Sequence, residues 1–208
     1  MKHYVQYGCG FSAPAGWVNY DASPTLRIEK IPFLGQLYKK NIQRFPTNVR
    51  YGDIIAGLPE NEDSCDGLYC SHILEHLSYD DFNKALANTY KLLKPGGLFR
   101  CVVPDLKSAA ENYLESFEQY PNPASEFLKA TMLGKRHRDT SLRGLIKYSM
   151  GNSEHLWMWD QKSLIFELQQ AGFKSCRPCC FNDSADEIFK HVEEAGRFEN
   201  AVAIECTK

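Results

Sequence analysis

Tyr4-Val5-Gln6-Tyr7-Gly8-Cys9-Gly10, followed by Trp17-Val18-Asn19-Tyr20-Asp21, decides the fold of this chain. Tyr4 to Tyr7 reads as a buried strand, and a Gly-x-Gly turn follows it at once. Glycines there let the backbone turn sharply and let a ligand approach with no Cβ in the way. Trp17 to Tyr20 reads as a second short strand that ends in Asp21. At the end of a second parallel strand, a carboxylate can grip a ribose diol by accepting from both hydroxyls. A lone Gly-x-Gly is equally a tight turn between strands. No third glycine stands at the dinucleotide spacing, which argues against a pyrophosphate cradle. Only Phe11 to Gly16 separates the turn from the second strand, too little for a crossover helix, so a loop is expected instead.

The 208 residues suffice for one domain with a sizeable core, and a single domain over 1–208 is expected. Hydrophobic content of 43% with 24% charged residues fits an ordinary globular chain rather than a disordered one. A net charge of −2 gives no ground for nucleic-acid or anionic-membrane binding. No apolar run is long enough to span a bilayer, and no signal-peptide pattern precedes the first strand. The eight cysteines therefore read as reduced thiols of a cytoplasmic protein. Cys176, Cys179 and Cys180 cluster tightly but lack a second ligand pair at zinc-like spacing, so no metal site is expected.

Ser23-Pro24 is a helix start, and Leu26 to Gln43 reads as a helix broken by Pro32 and Gly35. Asn48 to Tyr51 is a short strand ending at Gly52-Asp53-Ile54. Gly67-Leu68-Tyr69-Cys70 is the next buried strand, leading into Ser71-His72-Ile73-Leu74-Glu75-His76-Leu77. Ser78 with Asp81 caps a helix whose Phe82, Leu86, Tyr90 and Leu93 recur at helical spacing. Pro95-Gly96-Gly97 stops it. Leu98 to Val103 is an apolar strand broken only by Arg100, ending at Pro104-Asp105. Apolar strands alternating with helices imply a parallel sheet covered on both faces. Ligands of such sheets bind beyond the carboxyl ends of the strands. Gly8 to Gly10, Asp21, Asp53, Ser71-His72 and Asp105 should thus share one rim.

Lys107 to Ser153 is too long for a simple connection. It reads as a helical insertion, either extra packing or a lid over the rim. Lys135-Arg136-His137-Arg138, Arg143 and Lys147 make it basic, as a solvated face or toward an anionic acceptor group. Asp160 is an N-cap for a helix through Leu164 and Leu168, ended by Gly172. Phe173 to Phe181 and Ala201 to Cys206 read as strands, with a Ser184-capped helix between them.

The set Gly8-Cys9-Gly10, Asp21, Gly52-Asp53-Ile54, Asp66 through Leu77, and Leu93-Lys94-Pro95-Gly96-Gly97-Leu98 resembles the class I S-adenosylmethionine-dependent methyltransferases, in their methyltransferase-11-like group. The resemblance implies a Rossmann-like, doubly wound α/β fold. Its mostly parallel sheet would have seven strands, one of them antiparallel in the last pair, with the helical insertion after the fifth. It implies S-adenosylmethionine as cofactor. Gly8, Cys9 and Gly10 would pass its methionine end, Asp21 would hold the ribose, and Asp53 and Ile54 would face the adenine. Ser71 and His72 would lie beside the methionine portion. The loop before the second strand is shorter than the family's, and the first strand leaves no residues for the family's N-terminal helix. One side of the cofactor should therefore be open or covered by the insertion.

The implied reaction displaces a good leaving group, so positioning the nucleophile is the main task. A hydroxyl nucleophile also needs a base, and His155, His76 and Asp105 are the catalytic candidates. Trp157 and Trp159 line a ring-shaped acceptor or belong to the core. The expected function is methyl transfer to a small or glycan-like acceptor at oxygen. The alternatives are a non-catalytic S-adenosylmethionine-binding module and a nicotinamide-dependent oxidoreductase.

Overall fold

The computed structural model describes residues 2–31, 43–135 and 154–208. Among them seven strands form one sheet: β1 (Tyr4–Tyr7), β2 (Trp17–Asp21), β3 (Val49–Tyr51), β4 (Cys65–Ser71), β5 (Leu93–Pro104), β6 (Lys174–Pro178) and β7 (Ala201–Thr207). Their order is β3-β2-β1-β4-β5-β7-β6. The first five run parallel, and β7 runs antiparallel between β5 and β6. The expected α/β sheet is the one observed. Chain order reverses between β1 and β4, which is where such sheets open a crevice.

Five helices accompany the sheet among the described residues: α1 (Pro24–Glu29), α2 (Tyr79–Leu92), α3 (Leu106–Glu115), α4 (Pro123–Ala130) and α5 (Gln161–Gln170). In α2 the Ser78 hydroxyl accepts the Asp81 N–H, and Asp80 and Asp81 favour the positive N-terminal end. Phe82, Ala85, Leu86, Thr89 and Leu92 recur every three or four residues and are buried. That face packs on β1, β4 and β5 together with Leu164 and Leu168 of α5. The helix ends at Leu92, before Pro95, because Leu93 already pairs with Cys65 of β4. The opposite sheet face is covered by Phe189 and Val192 against Tyr4, Trp17 and Tyr69.

One expected element differs. The helix after Ser184 is a 3-10 turn, Glu187–His191, capped by Asp186. The Ser184 hydroxyl is occupied elsewhere, donating to Glu205 at 2.7 Å. Of the interrupted helix expected over Leu26 to Gln43, the described part is helical as far as Glu29, and residues 32–42 lie outside the described residues. The basic run after Gly134 lies outside them too, apart from Lys135, whose Nζ stands 3.4 Å from Glu154.

No crossover helix joins β1 to β2. Residues 8–16 form a loop in which Gly8, Gly10 and Gly16 all have positive φ. Gly8, Gly52, His72 and Asp105 each follow directly on a strand, and Asp21 closes β2. The expected rim is therefore real.

Candidate active site

The rim carries two cavities. The first, about 630 Å³, opens over the ends of β1, β2 and β3 and the loop after β4, and is lined by Gly8, Asp21, Asp53, Ile54, His76 and Leu156 among others. The second, about 570 Å³, is lined by His72, Asp105, Tyr113, Thr131, His155 and Asn200 among others. Both lie in the size range of small-molecule sites.

The loop after β1 makes the floor of the first cavity. Gly8 has φ +64°, and a Cβ there would come within 2.0 Å of Ile73 Cδ1. The Gly10 N–H donates to Asp21 Oδ2 at 2.9 Å, and the Ser23 N–H donates to Asp21 Oδ1 at 2.7 Å. Those two bonds fix the carboxylate and leave each oxygen one further acceptor position. Asp53 Oδ1 accepts the Ile55 N–H at 2.9 Å, and its other oxygen makes no fixed turn contact. Ile54 and Leu77 supply apolar walls. A ligand with a diol, a flat ring and an amino group fits these donors and acceptors. Cys9 is buried against Leu26 and Val49 instead of facing the cavity, and burial, with Asp21 beside it, pushes its thiol up to about 12. Ser71 is buried and lines neither cavity. His72, expected beside the first, opens to the second.

The residues between the cavities were the least legible in sequence. Glu75 is fully buried, and its carbonyl receives the Leu156 N–H at 2.8 Å and the Trp157 N–H at 3.2 Å. The His155 N–H reaches the Met132 carbonyl at 3.3 Å, and Trp159 bridges to Asp105. These backbone bonds bring His155, eighty residues away in sequence, against the loop after β4. Glu75 Oε1 lies 4.0 Å from both His76 Nε2 and His155 Nε2, and 3.4 Å from His72 Nδ1. The His76 and His155 rings meet edge to face with centroids 5.0 Å apart. His76 lines the first cavity and His155 the second, so the cavities meet at this cluster.

The histidines are tuned in opposite directions. Burial pulls His155 below the ordinary histidine range, and the nearby Glu75 only partly offsets it. For His72, burial also pulls downward, but Glu75 and the Arg197 carbonyl outweigh it, so its value is raised. His72 also sits at φ +55°, a left-handed conformation uncommon for a side-chain-bearing residue. Of the remaining candidates, Asp105 caps α3 by accepting the Lys107 N–H at 2.9 Å. Trp159 stacks on Phe82 at 4.2 Å in the core, while Trp157 is half-exposed over Tyr79.

Residues 9–176 match the family model described as a methyltransferase domain. The chain belongs to that family. The class expected from the sequence, S-adenosylmethionine-dependent methyltransferases, is the one it falls in, and the oxidoreductase alternative falls with it. Three solved structures are similar in fold. A SAM-dependent methyltransferase from Archaeoglobus fulgidus is 16% identical with a TM-score of 0.51, over 100% of this chain and 86% of its own. A possible histamine N-methyltransferase from Thermotoga maritima is 17% identical with a TM-score of 0.51, over 100% and 83%. The CurJ carbon methyltransferase is 12% identical with a TM-score of 0.50, over 99% of this chain and 48% of its own. No curated protein matches the chain. Among the described residues, no helix is long and apolar enough to cross a membrane.

Proposed function

We propose that this methyltransferase binds S-adenosylmethionine in the first cavity and methylates an oxygen of a small or glycan-like acceptor held in the second. The observation that carries the reading is the meeting of the two cavities at the Glu75, His76 and His155 cluster. S-adenosylmethionine supplies a methyl group on a sulfonium, a good leaving group when a nucleophile lines up behind it. Asp21 accepts from the ribose hydroxyls, while Gly8 lets the methionine portion pass close to β1. Asp53 and Ile54 hold the adenine edge and face.

The second cavity mixes aromatic and apolar groups with hydrogen-bonding ones, as a hydroxylated acceptor requires: Tyr113, Phe127 and Met158 against Asn112, Glu126 and Asn200. We read α3 and α4 as a lid, the described part of the insertion over 107–153. Neither helix has a buried residue, so little packing energy opposes their movement. The lid excludes water and orients the acceptor. A hydroxyl must also lose a proton, and His155, held neutral by burial, faces the acceptor side. Asp105 serves as the cap that anchors α3. All eight cysteines are free thiols, which supports a cytoplasmic setting.

The test is a panel of acceptors given with methyl-labelled S-adenosylmethionine, with release of S-adenosylhomocysteine as readout. Turnover on sugar or other hydroxyl acceptors is expected. Turnover confined to amine or carbon acceptors would overturn the oxygen assignment.

A further inference from the structure

Both carboxylate oxygens of Glu75 are buried without a hydrogen-bond partner, and the side chain is 0% exposed. A buried carboxylate without partners is strongly destabilising unless a cation compensates it. His76 Nδ1 lies 3.0 Å from the Glu154 carbonyl oxygen. A carbonyl only accepts, so Nδ1 carries a proton, and it is Nε2 that is turned toward Glu75 and available to an ion. His72 is anchored in the same way, with Nε2 donating to the Arg197 carbonyl at 2.9 Å. His155, 9% exposed, presents Nε2 to the same carboxylate oxygen. Nε2 of His76 and Nε2 of His155 thus both face Glu75 Oε1 from 4.0 Å, beyond hydrogen-bond reach, while His72 Nδ1 stands 3.4 Å from the same oxygen.

We propose that Glu75, His76 and His155 bind a divalent transition-metal ion between the two cavities. One ligand atom from each of the three lies within 4.8 Å of the others. Ligands about 2.0–2.1 Å from a shared ion sit roughly 3.4 Å apart in tetrahedral geometry, so small side-chain rotations close the site. Two imidazoles and one carboxylate suit zinc, iron(II), manganese or cobalt, and leave coordination positions open. The bond from His76 Nδ1 to the Glu154 carbonyl orients that ring in the way that carbonyls hold metal-binding histidines elsewhere. Glu75 carries no sign of this site in the sequence, because only the fold buries it and brings His155 to it from the far side of the insertion. With the ion bound, His155 Nε2 serves as a ligand in place of the base, and an open position toward the second cavity would take an acceptor oxygen and ease loss of its proton to solvent. That role rests on the proposed use of the second cavity, whereas the binding of the ion does not.

The experiment is calorimetric titration of chelator-stripped full-length protein with zinc chloride, then separately with manganese chloride. Visible absorption of the cobalt-loaded protein reports the ligand set. Wild-type protein is expected to bind one ion per chain and to melt at a higher temperature with the ion present. Glu75→Gln and His155→Asn should each weaken binding at least about tenfold and abolish the shift in melting. Absence of wild-type binding for both metals overturns the site, and so does unchanged binding in both variants. S-adenosylhomocysteine is titrated into the same samples. If it binds while no metal does, the ion is excluded and the cofactor reading stands. If metal binds and it does not, the site stands and the cofactor reading fails.

Discussion

Arg100 sits in the middle of β5 at 1% exposure. Its guanidinium reaches Glu193 at 2.7 Å, Asp183 at 2.9 Å, Glu205 at 3.0 Å and the Cys180 carbonyl at 3.0 Å. Removing it leaves buried carboxylates facing one another. Arg100→Met should cost about 3–5 kcal/mol, a drop in melting temperature of about 6–20 °C by thermal unfolding. Asp183 gives the pH dependence. Partial burial pushes its carboxyl up, but Arg177 and Arg100 bring it down to about 2 from the ordinary 3.8. Between those values the unfolded chain binds a proton that the folded one refuses. Its stabilisation is therefore complete above about pH 4 and is lost as pH falls through about 2, which urea unfolding across that window would show. At Gly8, alanine would meet Ile73 and suffer left-handed strain of about 1–2 kcal/mol. Gly8→Ala should weaken S-adenosylhomocysteine binding, because Ile73 can only yield into the first cavity.

Among the elements, α2 and α3 make the sharpest contrast. Leu86 of α2 is wholly buried, and Leu86→Ala should cost about 2–5 kcal/mol in chemical unfolding. Leu114 of α3 is 70% exposed, and Leu114→Ala should change stability by no more than about 0.5 kcal/mol. The same contrast explains what could be read from the chain. The strands β1, β2, β4 and β5 and the helix α2 announce themselves, since their apolar period is imposed by burial. Asp21 and Gly8 were legible because they stand directly at strand ends. Glu75 was not, because a glutamate among apolar residues looks like any surface charge until the fold buries it. The His155 contact depends on backbone bonds from Glu75 and Met132, which no local pattern encodes. Arg100 likewise shows in sequence only as an interruption, its partners lying some 80 to 105 residues away.

For the molecule as a whole, topology puts chemistry on one edge. Five parallel strands end on the same rim, and the reversal of chain order between β1 and β4 opens it. The first cavity takes its polar groups from the ends of β1, β2 and β3. The second takes its own from the ends of β4 and β5 and from the insertion. A methyl donor on one side and an acceptor on the other would meet over the loop after β4. Methyl transfer on this rim requires the first cavity to be a cofactor site. The measurement is calorimetric titration of the intact protein with S-adenosylhomocysteine, with NAD as control and Asp21→Asn as variant. Saturable binding of S-adenosylhomocysteine is predicted, with none of NAD, and affinity at least about tenfold lower in the variant for loss of a charged acceptor. No binding of S-adenosylhomocysteine, or a variant that titrates like the wild type, would contradict it.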